Sequence, residues 1–237
     1  MSPEGYVAHV CTGAKRVIVD MHVHTRAGSA DSQLAVDELI DAVRAAGLGG
    51  IVVAEHVRQW DPDSTRQLSE RGGVRIFPAA EWSCEYGHVV VLGVSHETKF
   101  TGPLREMRRI VHAQGGFMIL AHPFRYFPGP MNLLFGKRPE AREFDAAALA
   151  RHAAFALVDE IESLNNGCTD RENTLAGAVA CALGRRGVGG SDAHAAGEVG
   201  RCVTEFQDDI ESVGDLIREL RRGRFRAARS SAPWICA

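Results

Sequence analysis

Short β-branched and apolar runs alternate with helical patterns almost from end to end of this 237-residue chain. The strand-like runs cover 16–21, 50–54, 74–79, 88–94, 116–121, 158–164 and 187–190, the apolar character expected of strands buried on both faces. Helical patterns over 36–46, 103–114, 145–155, 170–184 and 210–222 fall between or after them. Pro103 suits a first helical turn, and Gly47, Gly115 and Gly184 stand where helices stop. Such alternation implies parallel strands joined by right-handed crossovers. Seven strands in one chain of this length favour a closed or distorted barrel over an open doubly wound sheet. No GxGxxG follows the first strand, so the dinucleotide-binding variant loses its main support.

Two segments break the alternation. Residues 61–73 are polar and read as a loop carrying a short helix. Residues 124–140 (FRYFPGPMNLLFGKRPE) bring three prolines and four aromatics together with no clear period. A loop that long inside a compact domain is usually functional or mobile, so it is expected to face the substrate, with a packed aromatic cluster as the alternative.

Composition narrows the function classes. Hydrophobic residues make up 45% and charged residues 24% of the chain, which argues against disorder. No apolar stretch approaches the ~20 residues of a spanning helix, and no signal-peptide pattern opens the sequence. A cytoplasmic protein is the expectation, with no membrane partner. The formal charge of −3 makes no global electrostatic case for nucleic acid. Cys11, Cys84, Cys168, Cys181, Cys202 and Cys236 are scattered without a CxxC pair and read as reduced thiols.

Ten histidines remain to be placed. His22 and His24, in DMHVHT at the end of the first strand, lie two apart, so both project from one face and can chelate one ion. Glu55-His56 follows the second run, Glu81 the third, His88 opens the fourth, His122 follows the fifth, and Asp192 and His194 follow the seventh. In a parallel barrel the C-terminal strand ends share one rim, where active sites are assembled. Six histidines therefore converge on that rim with Glu81 and Asp192. His9, His112 and His152 fall off the pattern as packing or solvated residues, and His96 trails the fourth strand in a loop.

With these pieces in view, the sequence resembles the PHP (polymerase and histidinol phosphatase) family of metal-dependent phosphoesterases. DMHVHT, AEH, AEWSCEYGHVVVLG, AHPFR, SDAH and GRCVTEF carry the resemblance from Asp20 to Phe206, in the family's order. It implies one distorted (β/α)7 barrel over the whole chain, with a core at 16–206 and a C-terminal helix and edge segment at 207–237. It implies two or three divalent ions (manganese, zinc or iron) at the C-terminal rim. His22 and His24 would bind one ion with Asp192; Glu81 would bridge it to a second held by His88 and His122; His56 and His194 would hold a third. Asp31 is the candidate for the family's acidic ligand after the HxH, at a longer spacing than usual. Glu55 replaces a frequent aspartate and is expected to support the ligands rather than bind. Glu81 and Asp192 would act catalytically through the ions, and His194 could return a proton to the leaving group. Bound ions neutralise phosphoryl oxygens and lower the pKa of a bridging water from ~15.7 toward ~7.

Phosphate also asks for cations beyond the ligands. Arg125, after His122-Pro123-Phe124, and Arg201, after His194, are placed for a bidentate grip, with Arg26 as a third candidate. Asn165-Asn166-Gly167 reads as a turn lining the site. A small phosphorylated metabolite or nucleotide is the expected substrate. Two alternatives stay open: cleavage of an oligonucleotide from its end, and an amidohydrolase-like reaction. The six arginines within 218–229 could track a phosphate backbone, but such a run more often forms the solvated face of a final helix and an edge strand. The only lysines, Lys15, Lys99 and Lys137, do not sit where an amidohydrolase would carry a carboxylated one. An inert polymerase-type module is a third possibility, weakened by the intact ligand pattern.

Overall fold

A computed structural model describes residues 16–56, 58–136 and 144–230. The runs foreseen as strands form β1 (Val17–Val23), β2 (Gly50–Glu55), β3 (Arg75–Cys84), β4 (Gly87–Leu92), β5 (Phe117–Leu120), β6 (Glu160–Asn165) and β7 (Val188–Gly190). Two more, β8 (Cys202–Phe206) and β9 (Phe225–Arg229), follow. All nine make one sheet in the order β7-β6-β5-β4-β3-β2-β1-β8-β9. The sheet curls until the end of β7 meets β1, where Asp192 N–H donates to His22 O at 2.7 Å and His24 N–H to Ala193 O at 2.9 Å. Below that seam the Thr204 hydroxyl of β8 bonds both the N–H and the carbonyl of Gly189. The fold is thus an α/β, nearly closed barrel.

The expectation of parallel strands throughout needs correction. β4 runs antiparallel to both β3 and β5, β8 antiparallel to β1, and β9 antiparallel to β8. Only two residues separate β3 from β4, enough for a hairpin and far too few for a crossover. Because β4 descends, its first residues lie at the same rim as the ends of its neighbours, and this brings His88 there.

Helices α1 (Val36–Ala45), α3 (Leu104–Ala113) and α5 (Asp170–Ala182) cover the outer faces of the strands. Residues 61–73 are more ordered than expected, since α2 (Pro62–Gly72) fills them. Its apolar period is weak, but its punctuation is complete: Asp61 accepts from Ser64 N–H, Pro62 opens the helix, and Gly73 ends it at φ 62°. The helix foreseen at 145–155 divides into α4 (Ala146–Leu149) and a 3-10 turn over Ala153–Leu157, with His152 at its N-cap. Finally α6 (Val213–Arg222) places Leu216, Ile217 and Leu220 among the interior residues Leu92, Phe117 and Phe206, closing the mouth opposite the histidines.

Facing within the barrel depends on one irregularity. Val17, Val19 and Met21 belong to the interior cluster, whereas Val23 packs outside with Leu39, Val43, Ile51 and Val53. Between Asp20 and Val23, β1 carries one residue more than β2. This bulge exchanges the two faces of the strand and lets His22 and His24 point inward above Met21. The expectation for the C-terminal arginines resolves as a paired surface. Arg218, Arg222, Arg224, Arg226 and Arg229 each meet a carboxylate, and Arg221 caps the Gly115 and Gly116 carbonyls.

Among the described residues no helix is long and apolar enough to cross a membrane. Cys84, Cys168, Cys181 and Cys202 are free thiols; Cys11, Cys236, His9 and Lys137 lie outside the described residues. The tight seam between β7 and β1 can be tested. A Cβ on Gly190 would fall 2.5 Å from the His22 Cβ and 2.9 Å from its backbone nitrogen, whereas one on Gly177 in α5 meets nothing. Gly190→Ala should lower stability by about 2 kcal/mol or more through overpacking, while Gly177→Ala should raise it by about 0.5–1 kcal/mol. Urea denaturation of the chelated protein compares them, and equal effects would refute the close seam.

Candidate metal centre

The rim cluster is built around Glu81, an interior residue of β3 that is 3% exposed. Five imidazoles approach its carboxylate. Distances are 3.3 Å to His22, 3.6 Å to His24, 3.1 Å to His56, 3.3 Å to His88 and 3.3 Å to His122. Asp192 enters from β7, with Oδ1 3.2 Å from His24 Nε2 and 3.6 Å from His22 Nε2. His56 and His194 both face the exposed Asp31, at 3.2 and 3.4 Å. Donor atoms fall into three groups able to hold an ion: His22, His24 and Asp192; Glu81, His88 and His122; and His24, His56 and His194.

Two of these side chains depend on unusual backbone. His122 has φ 30° and Asp192 φ 55°, the left-handed region that costs a non-glycine residue about 1–2 kcal/mol. At the end of β5 this turns His122 back over the interior, next to the inward-facing Ala121.

The neighbours of His22 and His24 settle which ring nitrogen carries hydrogen. The Ser29 hydroxyl donates to Glu55 Oε2 at 2.6 Å, so it accepts from His24 Nδ1 at 3.1 Å. Glu162 Oε1 accepts from His22 Nδ1 at 3.2 Å. Both Nε2 atoms are then left as lone pairs pointing inward, only 3.0 Å apart. Two lone pairs at that distance repel unless a cation lies between them. Ligands about 2.0–2.3 Å from a common ion stand roughly 3.0–3.7 Å from one another, the spacing found here. The donor set of imidazoles and carboxylates suits zinc, manganese or iron.

Without an ion a proton takes that place. Burial pulls the His22 pKa down, but Asp192, Glu81 and Glu162 outweigh it and hold the ring well above the usual imidazole range. His24 moves the other way, lowered by burial and by the charge on His22. Glu81 and Asp192 are held well below the usual carboxylate range; burial opposes this, but the surrounding histidines prevail. Hydrogen bonding to Glu81 raises His56.

Several residues that support the centre went unassigned in the sequence. Glu162 holds His22 through one oxygen, and through the other it accepts from His122 N–H and Asn165 Nδ2, both at 2.9 Å. Asp20 accepts from the N–H groups of His22, Ser191 and Gly200, tying β1 to the segment after β7; burial pushes its carboxyl up to about 6. The signal for both is a carboxylate buried within a strand. Glu55 is occupied by Thr25, Ser29 and Trp60 and stands behind the histidine cluster.

Of the three arginines, Arg125 reaches the cluster, pairing with Asp192 and donating to Asn165 Oδ1 at 2.8 Å. Its Nε–H is buried with no acceptor among the described residues. Arg26 and Arg201 are exposed. Arg201 N–H donates to the carbonyl of Glu198, whose side chain fixes the backbone of His194.

A family model described as PHP-associated matches residues 170–225. No curated protein matches the chain in sequence. Among solved structures it is similar to PsfC from Pseudomonas syringae, with a TM-score of 0.62, 22% identity, and 91% of this chain and 92% of that one covered. It is also similar to a two-domain protein from Bacteroides vulgatus containing a predicted PHP-like metal-dependent phosphoesterase (TM-score 0.65, 20% identity, 92% and 66% covered). A third is the lesion-specific endonuclease PfuEndoQ from Pyrococcus furiosus (TM-score 0.56, 13% identity, 90% and 57% covered). The chain spans about two-thirds of the Bacteroides protein and little more than half of the endonuclease. At these identities the likeness is one of fold, and the PHP-associated match covers the stretch from α5 to the start of β9.

Proposed function

We propose that this protein is a metal-dependent phosphoesterase releasing phosphate from a small phosphorylated compound. The observation that carries the reading is the triple set of converging donors around Glu81. In this reading His22, His24 and Asp192 would hold one ion, Glu81 would contribute to it and to a second held by His88 and His122, and His56, His194 and Asp31 would serve a third. Bound manganese, zinc or iron supplies charge neutralisation on the phosphoryl oxygens and an acidified water.

The chain supplies the rest. Glu162 and Ser29 keep the Nε2 lone pairs of His22 and His24 directed inward. Arg125 steadies Asp192 and offers its remaining N–H groups to a phosphate oxygen, with Arg26 and Arg201 as further contacts from the rim. His194 Nδ1 donates to the Asp192 carbonyl at 2.8 Å, which leaves Nε2 to serve the third ion or, where that place is empty, to hold a proton for the leaving oxygen. The paired arginines of α6 and β9 support a small substrate over a nucleic acid.

Glu81→Ala should lower the number of ions per chain by metal analysis and cut turnover about a thousandfold or more. Glu55→Ala, removing only a supporting contact, should cost about 10–100-fold. Similar losses would refute the bridging role. Replacing Arg125 by Ala should raise KM for phosphate esters about tenfold; unchanged kinetics would remove it from the site.

Proton and ion compete for one place, which sets a pH dependence. His22 and His56, raised, contribute stability that is complete below about 6.5 and lost as pH climbs through their higher values. Glu81 and Asp192, depressed, contribute theirs above about 4 and lose it only in acid. The chelated protein should therefore lose thermal stability as pH rises above about 6.5. The loaded protein should not, so the gap in Tm should widen with pH. A gap that narrows would count against ion binding by these rings.

A further inference from the structure

The segment after β5 divides its side chains between two tasks. Phe124, Phe127 and Phe135 pack together, with Phe124 and Phe127 buried, and Phe155 stands beside Phe135. Tyr126, Met131 and Leu133 do the opposite, at 54%, 66% and 62% exposure. They are the large apolar side chains exposed among the described residues, and all three line a single cleft of about 220 Å³. Exposed apolar area gathered on one loop marks a contact surface, where scattered residues would not.

The cleft opens onto the centre. Its lining joins His88, His122 and Arg125 of the rim cluster to Tyr86, Tyr126, Met131 and Leu133. Its wall is pinned by Asn132, whose side-chain amide donates to the Pro123 and Arg125 carbonyls at 2.9 Å each and accepts from Phe135 N–H at 2.9 Å. A preformed wall of this kind spares a ligand the ordering of the loop.

We infer that this cleft receives the alcohol part of the substrate, and that this part is a neutral apolar group carrying one ring. The inference rests on the phosphoesterase reading above. A cavity of about 150 Å³ holds a benzene ring, so the cleft takes a ring on a short linker and is small for a nucleotide. Apart from the residues at the centre, its lining carries no charge, so a second anion on the alcohol would lose water there without a counter-charge. In the reaction a water oxygen bonds to phosphorus, the ester P–O bond breaks with its electron pair on the alcohol oxygen, and that oxygen takes a proton. Phosphate and an arylalkyl alcohol are the products.

The test compares 2-phenylethyl phosphate, ethyl phosphate and glycerol 3-phosphate, primary alkyl esters with leaving groups of similar basicity. The loaded enzyme should prefer the phenylethyl ester by about thirtyfold or more in kcat/KM. Leu133→Asp and Met131→Asp, exposed positions whose folding is checked by circular dichroism, should each bring that ratio to within about threefold of unity. In parallel, 2-phenylethanol is titrated into the metal-free protein and followed by the Tyr126 ring resonances; it should bind, and Leu133→Asp should abolish the shifts. Hydrolysis of all three esters without preference, or with preference for glycerol 3-phosphate, overturns the inference and leaves the phosphoesterase reading standing. Binding of 2-phenylethanol with no ester hydrolysed supports the cleft assignment and overturns the reading it rests on. No binding at Tyr126 overturns the inference whatever the kinetics.

Discussion

A buried carboxylate ringed by imidazoles governs this molecule. Glu81 is nearly inaccessible, and an ion in that position is tolerated only when opposite charge or strong hydrogen bonds surround it. Its partners come from β1, from the ends of β2 and β5, and from the start of β4, so no single hairpin or crossover could satisfy it. Closure of the sheet and assembly of the centre are therefore one event. The same logic explains the dense support behind the rings: Glu162, Ser29, Asp20 and Asn165 each satisfy more than one group around the centre.

Much of this was legible in the residues. Apolar runs located β1 to β7 because strands covered on both faces leave a continuous signature, and histidines clustered at their ends because the rim is where such strands present side chains. Direction was less visible. An apolar run reads the same upward or downward, so the reversal of β4 appears only in the shortness of the link before it. The edge pair β8 and β9 alternates more weakly, and half-exposed residues on β9 dilute its period. Helix α2 shows how capping residues can specify a helix whose apolar stripe is thin.

Backbone geometry was the least legible layer. Nothing in His122 or Asp192 announces a left-handed conformation, yet both need it to reach the centre. The long segment after β5 illustrates a different limit. Composition suggested either a packed aromatic cluster or a surface for substrate, and the fold packs Phe124 and Phe127 while leaving Tyr126, Met131 and Leu133 exposed. The arginine-rich end reads as a basic patch only until its carboxylate partners, drawn from α5, α6, β8 and the loop before α6, are brought alongside.

The bulge in β1 gives the centre an unusual kind of fragility. Most sites can be lost by changing a side chain and regained by restoring it. Here the inward aim of His22 and His24 rests on how many residues separate Asp20 from Val23, so it is a matter of counting. Shortening that stretch by one residue would leave every histidine and carboxylate in the chain, yet turn the two rings toward α1 and seat a valine beside Glu81. No point substitution elsewhere could compensate, because the fault would lie in the parity of the strand. Chain length at this one spot is thus as much a determinant of the chemistry as the histidines themselves.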